Sequence, residues 1–353
     1  MKNRTAKIAI LTILALAAPG IPASAEITNP TNAREREIVA RIDDYFASSP
    51  DYSNPVNYWN EGGFIVTVVR ADRTLLLKGY GCDDTTCFNL GAVSRTFSAP
   101  LVAQAVSEQK TAWTARVKGI LPELRMQDEF TAERLLVKDL FAANSGAATI
   151  GFLPKMAPGY EKPDIFEKIA LLPLLYPYNC GYGDNPYVFA LSAPLLERVT
   201  GEEWGSLLKK RLLSPVGMEA TSILEETAPL QAAEGLRSNA ADMALWLKFQ
   251  LNKGAAGTTQ IVAKNQMQTI QKGINIEGQE DDSITLYGYG WHIRQSCEGR
   301  VFYAHGALES DACACCFLPY SGWGIMVAGI SGTGRDACLA AMRHIVSLLV
   351  NPN

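Results

Sequence analysis

The hydrophobic and polar positions alternate between two rhythms along this chain. Arg34 to Phe46 sets Ile38, Val39, Ile42 and Phe46 at helical spacing among charged residues, which predicts an amphipathic helix. Gly63 to Arg70 and Thr74 to Lys78 are rich in Val, Ile and Leu and flank the turn-like Ala71-Asp72-Arg73, which predicts two strands. Gly91 to Gln109 and Thr131 to Ala143 read as helices, the second with Leu135, Leu136, Leu140 and Phe141 on one face. The Pro- and Tyr-rich stretch from Leu172 to Tyr187 reads as irregular. Further helices are expected at Val188 to Val199, Glu203 to Leu213 and Ala240 to Leu251. Four strands follow, at Tyr287 to Ile293, Arg300 to Ala304, Ala312 to Leu318 and Trp323 to Ile330, and a helix from Asp336 to Val350 closes the chain. The order predicts an α+β fold in which a sheet built from both chain ends (about 26–90 and 285–353) encloses a helical lobe (about 91–284), with a cleft between the lobes. No repeat or low-complexity segment interrupts it.

The first residues have another purpose. Lys2, Arg4 and Lys7 precede the apolar run Ile8 to Ala18, and Ala23-Ser24-Ala25 supplies a small-x-small cleavage site. Residues 1–25 therefore read as a cleavable signal peptide, with Glu26 as the mature start, and the chain is expected in the periplasm or outside the cell. The run is short for a bilayer span, no cysteine marks a lipoprotein site, and Gly324 to Ile330 reads as a buried strand, so no stable membrane anchor is expected. The composition is globular, at 48% hydrophobic and 19% charged, and the formal charge is -4. The absence of a basic cluster argues against nucleic acid as a partner.

Export changes how the eight cysteines are read. Cys82, Cys87, Cys180, Cys297, Cys313, Cys315, Cys316 and Cys338 all follow the leader, so disulfides are the expectation. Eight cysteines allow about 105 complete pairings, and only Cys82 with Cys87, across Asp-Asp-Thr-Thr, forms an evident local pair. Cys313 and Cys315 would share one face of a strand, with Cys316 on the other. Two bridges from this strand to Cys297, Cys338 or Cys180 are favoured over a thiol or metal site; no cofactor and no metal are called for.

Several segments, in order, resemble the serine β-lactamase and penicillin-binding-protein family, in its class C β-lactamase-related branch. Phe88 to Ala99, containing Gly91-Ala92-Val93-Ser94-Arg95, is similar to the motif Gly-Ser-x-x-Lys that opens a helix. Val137 to Gly146 resembles a landmark that usually ends in His-Thr-Ser-Gly, with Ala143 where a histidine often stands. Leu196 to Gly201, Leu213 to Thr221, Gly235 to Ala244, Tyr289-Gly290-Trp291 and Ala304-His305-Gly306-Ala307 continue the series. The resemblance implies an antiparallel sheet flanked by helices plus an all-helical lobe, and an acyl-transfer site in the cleft. It places Ala92, Arg95, Tyr182, Asp184, His305, Gly306 and Ala307 at the motif positions of that cleft.

The chemistry of the family needs a serine made nucleophilic by a base three residues on, with backbone N–H groups for the oxyanion. Ala92 has no nucleophilic atom, and the guanidinium of Arg95 does not give up its proton. Ser94 falls about 200° around the helix from the serine position. Ser107 and Lys110 spell Ser-x-x-Lys at the wrong end of the same helix, and Ser238 lies in a structural segment. Tyr182 and Asp184 stand nearest to a Tyr-x-Asn pattern, and His305 to a Lys-Thr-Gly or His-x-Gly strand. His292 and His344 are expected to be structural. The expectation is an exported family member inactive in serine acylation, keeping a cleft for a peptide-like or acyl ligand or a protein partner. The alternatives are a hydrolase with relocated residues (Tyr182, His305 or a cysteine such as Cys180) and a thiol or metal-binding protein on the same scaffold.

Overall fold

A computed structural model describes residues 27–28, 30–47, 62–149, 164–297 and 299–350; the expected signal peptide lies outside them. Strands β1 (Gly63–Arg70) and β2 (Thr74–Tyr80) form the first hairpin. Three short strands, β3 (Phe88–Asn89), β4 (Ser222–Ile223) and β5 (Leu236–Ser238), make a small sheet, and β6 (Ala255–Ala256) pairs with β7 (Thr259–Gln260). Then come β8 (Asn275–Glu280), β9 (Ser283–Gly288), β10 (Trp291–Ser296), β11 (Gly299–Leu308), β12 (Asp311–Leu318) and β13 (Trp323–Ile330). The large sheet runs β2-β1-β13-β12-β11-β10-β9-β8, antiparallel throughout, so the first hairpin joins the C-terminal strands as the pattern predicted.

The sheet divides two cores. Ile65 and Val69 of β1, Cys313, Cys315 and Phe317 of β12 and Met326 of β13 face α2 (Arg95–Ser107) and α3 (Ala240–Leu251). Phe64, Val66 and Val68, with Cys316, Ile325 and Val327, face α1 (Ala33–Ala47) and α4 (Arg335–Val350). Coverage on both faces explains why β13 reads as an unbroken apolar run. Trp246 of α3 ties the helices together: its ring stacks 4.0 Å from Phe97, and Nε1 donates to the Thr96 Oγ1 at 3.2 Å.

Three expectations are corrected. The segment Thr131 to Ala143 is broken into a helix at Glu129–Arg134 and a 3-10 turn at Val137–Phe141. Leu135 and Leu136 are extended between them, Leu136 bridges Arg116, and the Asp139 carboxylate accepts the Leu136 N–H, so a local cap outweighs the helical pattern. The strand expected at Tyr287 to Ile293 is a hairpin: Tyr289 (φ 58°) and Gly290 (φ 87°) turn the chain back between β9 and β10. The C-terminal part of the sheet therefore begins at Asn275, and β8 (Asn-Ile-Glu-Gly-Gln-Glu) shows no apolar alternation because it is a polar edge strand.

The expected disulfides are not formed: all eight cysteines are free. Cys82 and Cys87 are half-buried and unbridged, and Cys82 donates instead to the Phe64 carbonyl at 3.4 Å. Cys313 and Cys315 face one core and Cys316 the other, with Cys338, while Cys180 and Cys297 are exposed in loops. Burial pushes the Cys315 and Cys338 thiols up to about 12 and those of Cys313 and Cys316 well above their usual value, so these side chains pack as protonated thiols. Among the described residues no group of three or more His, Cys, Asp or Glu is placed to hold a metal, and no helix is long and apolar enough to cross a membrane.

Trp246→Ala should cost about 3–5 kcal/mol, because it empties the α2–α3 interface. Chemical denaturation followed by far-UV circular dichroism measures the loss.

Candidate functional site

The seven positions singled out in the sequence line one cleft of about 910 Å³: Ala92, Arg95, Tyr182, Asp184, His305, Gly306 and Ala307. Glu234, Glu277, His292, Arg335 and Asp336 join them. Ala92 lies in the 3-10 turn Gly91–Ser94 that leads into α2. Glycines let the sheet press on this turn. A Cβ on Gly306 would fall 2.3 Å from the Ala92 nitrogen, and one on Gly290 2.8 Å from the Arg95 carbonyl carbon. Gly91 itself has φ 51°, which favours glycine.

Arg95 is 4% exposed at the first turn of α2. Its Nη1 donates to Asp184 Oδ1, and its Nη2 donates to Glu234 Oε1 at 3.0 Å. Tyr287 shares a hydrogen bond with it, and the guanidinium carbon lies 5.7 Å from the centre of the Phe189 ring. Burial works against the charge, but Asp184, Tyr287 and Glu234 outweigh it, so the pKa is raised and Arg95 is a fixed cation. Burial, together with Asp184 and Glu277 and against the opposing pull of Arg95, pushes the Tyr287 hydroxyl up to about 12. Burial likewise raises Tyr182, whose ring meets Tyr287 edge-on at 5.6 Å, so both phenols are neutral.

The loop carrying Tyr182 and Asp184 is held by its backbone. Gly183 donates to the Ala143 carbonyl at 2.8 Å, and the Thr149 hydroxyl donates to the Asp184 carbonyl. Asn185 caps the helix Pro186–Ala190 and donates to the Ala147 and Ala148 carbonyls at 3.1 and 2.9 Å. Ala143 has φ 52° and serves the cleft through its carbonyl oxygen rather than a side chain.

His305 lies on β11, and its Nδ1 is buried without a hydrogen-bond partner. Burial, then His292, Arg335 and Arg343, lower its pKa to about 4, so it is neutral at pH 7. His292 corrects an expectation. It is not a core histidine but lines the cleft, stacked in parallel on His305 at 5.1 Å, with Nδ1 2.6 Å from Glu277 Oε2. His344 is structural, stacked on Tyr45 at 4.0 Å. The serines weighed as substitutes are engaged elsewhere: Ser94 Oγ accepts the Leu236 N–H, Ser107 donates to the Ala103 carbonyl, and Ser238 pairs with Thr221. Cys180 is absent from the cleft lining.

Sequence reasoning missed Glu234, Glu277, His292 and Tyr287. Glu234 directly precedes the segment Gly235 to Ala244, and His292 directly follows Tyr289-Gly290-Trp291, so adjacency to a motif was the available signal. Glu277 carried none, because nothing in β8 announces a strand.

An α+β fold with a polar cleft at the start of α2 is thus in place, and comparison with known proteins gives its lineage. The profile of the beta-lactamase family matches residues 57–344, and this chain belongs to that family. A structure described as a class C beta-lactamase superposes with a TM-score of 0.72 at 14% identity, over 91% of this chain and 99% of that one. The beta-lactamase/D-alanine carboxypeptidase of Yersinia pestis, complexed with citrate, gives 0.69 at 15% identity, over 90% and 99%. The octameric penicillin-binding protein homologue from Pyrococcus abyssi gives 0.68 at 16%, over 90% and 77%. An unguisins hydrolase of Aspergillus campestris is 22% identical over 194 residues, half of this chain. The match spans 36% of that hydrolase.

Arg95→Ala would leave Asp184 and Glu234 facing each other without a cation. The expected cost is about 1–3 kcal/mol in denaturant unfolding at pH 7, since both carboxylates stay partly open to water, and Arg95→Lys, which cannot fork to both carboxylates, should recover only part of it. The depressed pKa of His305 gives a second test. Its folded value of about 4 lies below the ordinary 6.5, so the unfolded chain binds the extra proton first. The stability this group contributes is complete above pH 6.5 and is lost as pH falls through 4. His305→Gln should flatten that part of the stability–pH curve relative to the parent chain.

Proposed function

We propose that this chain is an exported beta-lactamase-family protein that has abandoned serine acylation and holds a peptide-like or acyl ligand, or a segment of a protein partner, in its cleft without a covalent bond. One observation carries the reading: the position that should hold a deprotonable lysine is Arg95, clamped by Asp184 and Glu234 next to Ala92. The missing nucleophile and the missing base form a matched pair. A fixed cation bound by two carboxylates cannot take a proton from any group placed at residue 92.

The ligand class rests on kinship. The relatives named above include a D-alanine carboxypeptidase, whose name points to peptide-like substrates, and an unguisins hydrolase. The cleft supports such a ligand with the neutral phenol of Tyr182 as a donor and with His305 as a neutral polar group. Export rests on the leader-like residues 1–25.

Neither fluorescent penicillin nor a fluorophosphonate should label the purified protein, as read by gel fluorescence and intact mass. Ala92→Ser alone should also stay unlabelled, because Arg95 remains. An adduct on the parent chain that maps to the cleft would overturn the reading.

A further inference from the structure

We propose that Glu277 and His292 form a general-base dyad that activates water against an ester carbonyl held in the cleft, a hydrolytic activity independent of any serine.

The sheet builds this pair by an irregularity. Ile276 pairs with Leu286 and Gly278 with Thr285, so Glu277 is the extra residue of a β-bulge. Bulges re-aim side chains, and this one carries the Glu277 carboxylate past β9 to His292 on β10. The 2.6 Å contact to Nδ1 fixes the tautomer: Nδ1–H donates to Glu277, and the basic lone pair is on Nε2. No described residue hydrogen-bonds Nε2, and it is not among the enclosed, unpartnered polar atoms, so it is open to the cleft that His292 lines.

The ring is packed against β11 and β9. Tyr303 stacks on it at 4.9 Å and His305 at 5.1 Å, and Tyr287 meets its edge at 5.0 Å. A histidine so oriented and clamped, beside a carboxylate and facing a cavity, has the parts of a base. His305 beside it is neutral, so it adds no charge next to the His292 ring.

The step balances without a further reactant. His292 Nε2 takes a proton from water while the water oxygen bonds to the carbonyl carbon, and the carbonyl π pair moves to its oxygen. On collapse the carbon–oxygen bond to the alcohol breaks, and the alkoxide takes the proton back from Nε2. The products are a carboxylic acid and an alcohol. The inference rests on the reading that the cleft receives an acyl ligand and forms no acyl-enzyme.

The groups facing His292 are Glu277 from β8, Tyr287 from β9, Tyr303 and His305 from β11, with Arg335 and Arg343 of α4 and Asp184 acting on the His305 side. The test is steady-state hydrolysis of p-nitrophenyl acetate and butyrate by the full chain, with intact mass recorded during turnover. Turnover above buffer is expected, without a burst and without a mass shift. His292→Ala should lose about 100-fold or more in kcat, whereas His344→Ala should match the parent. Glu277→Gln should lower kcat about 10–100-fold with KM unchanged; a merely structural residue would not give that split. Turnover no faster than buffer, or a folded His292→Ala that keeps the parent rate, overturns the dyad. A mass shift equal to the acyl group overturns instead the reading that no acyl-enzyme forms.

Discussion

The cleft is organised around one shared guanidinium. Arg95 draws Asp184 from the loop before the Pro186–Ala190 helix and Glu234 from the segment before β5 onto the first turn of α2. Tyr287 brings β9 into the same contact. Each carboxylate would be costly near the protein interior without its cation, and the buried cation would be costlier still without them. The charge set is therefore cooperative, and it fixes the distance between the helical lobe and the sheet lobe where the cleft opens.

Steric permission does the rest. Gly290 and Gly306 have no Cβ where the sheet backbone meets the turn of Ala92, so two lobes made from distant sequence approach to contact distance. The same positions appeared in the sequence as motif glycines, which is why this part of the site was legible. His305, Tyr182 and Asp184 were legible for the same reason: spacing from recognisable segments placed them.

Legibility failed where tertiary contacts outvote local pattern. The α1, β1, α3 and β13 segments announced themselves because their apolar residues face the two cores that the sheet separates. The Thr131 to Ala143 region has equally apolar residues, but Asp139 caps an extended Leu136 and divides it. The eight cysteines misled for a different reason: their count argued for bridges, whereas four of them are packing residues distributed over both faces of the sheet. Glu277 and His292 could not be paired from sequence, because fifteen positions and an intervening strand separate them and only a bulge brings them together.

The bulge has a mechanical consequence. Glu277 belongs to the outermost strand, which has a ladder partner on one side only, and the bulged residue is outside that ladder. Its order is governed by the local opening of the sheet margin rather than by the global unfolding of the molecule. A carboxylate carried on a margin can detach while both cores stay intact. The histidine would then lose its orienting partner within an otherwise native protein, so the chemical competence of the cleft and the integrity of the fold are separable properties of this chain.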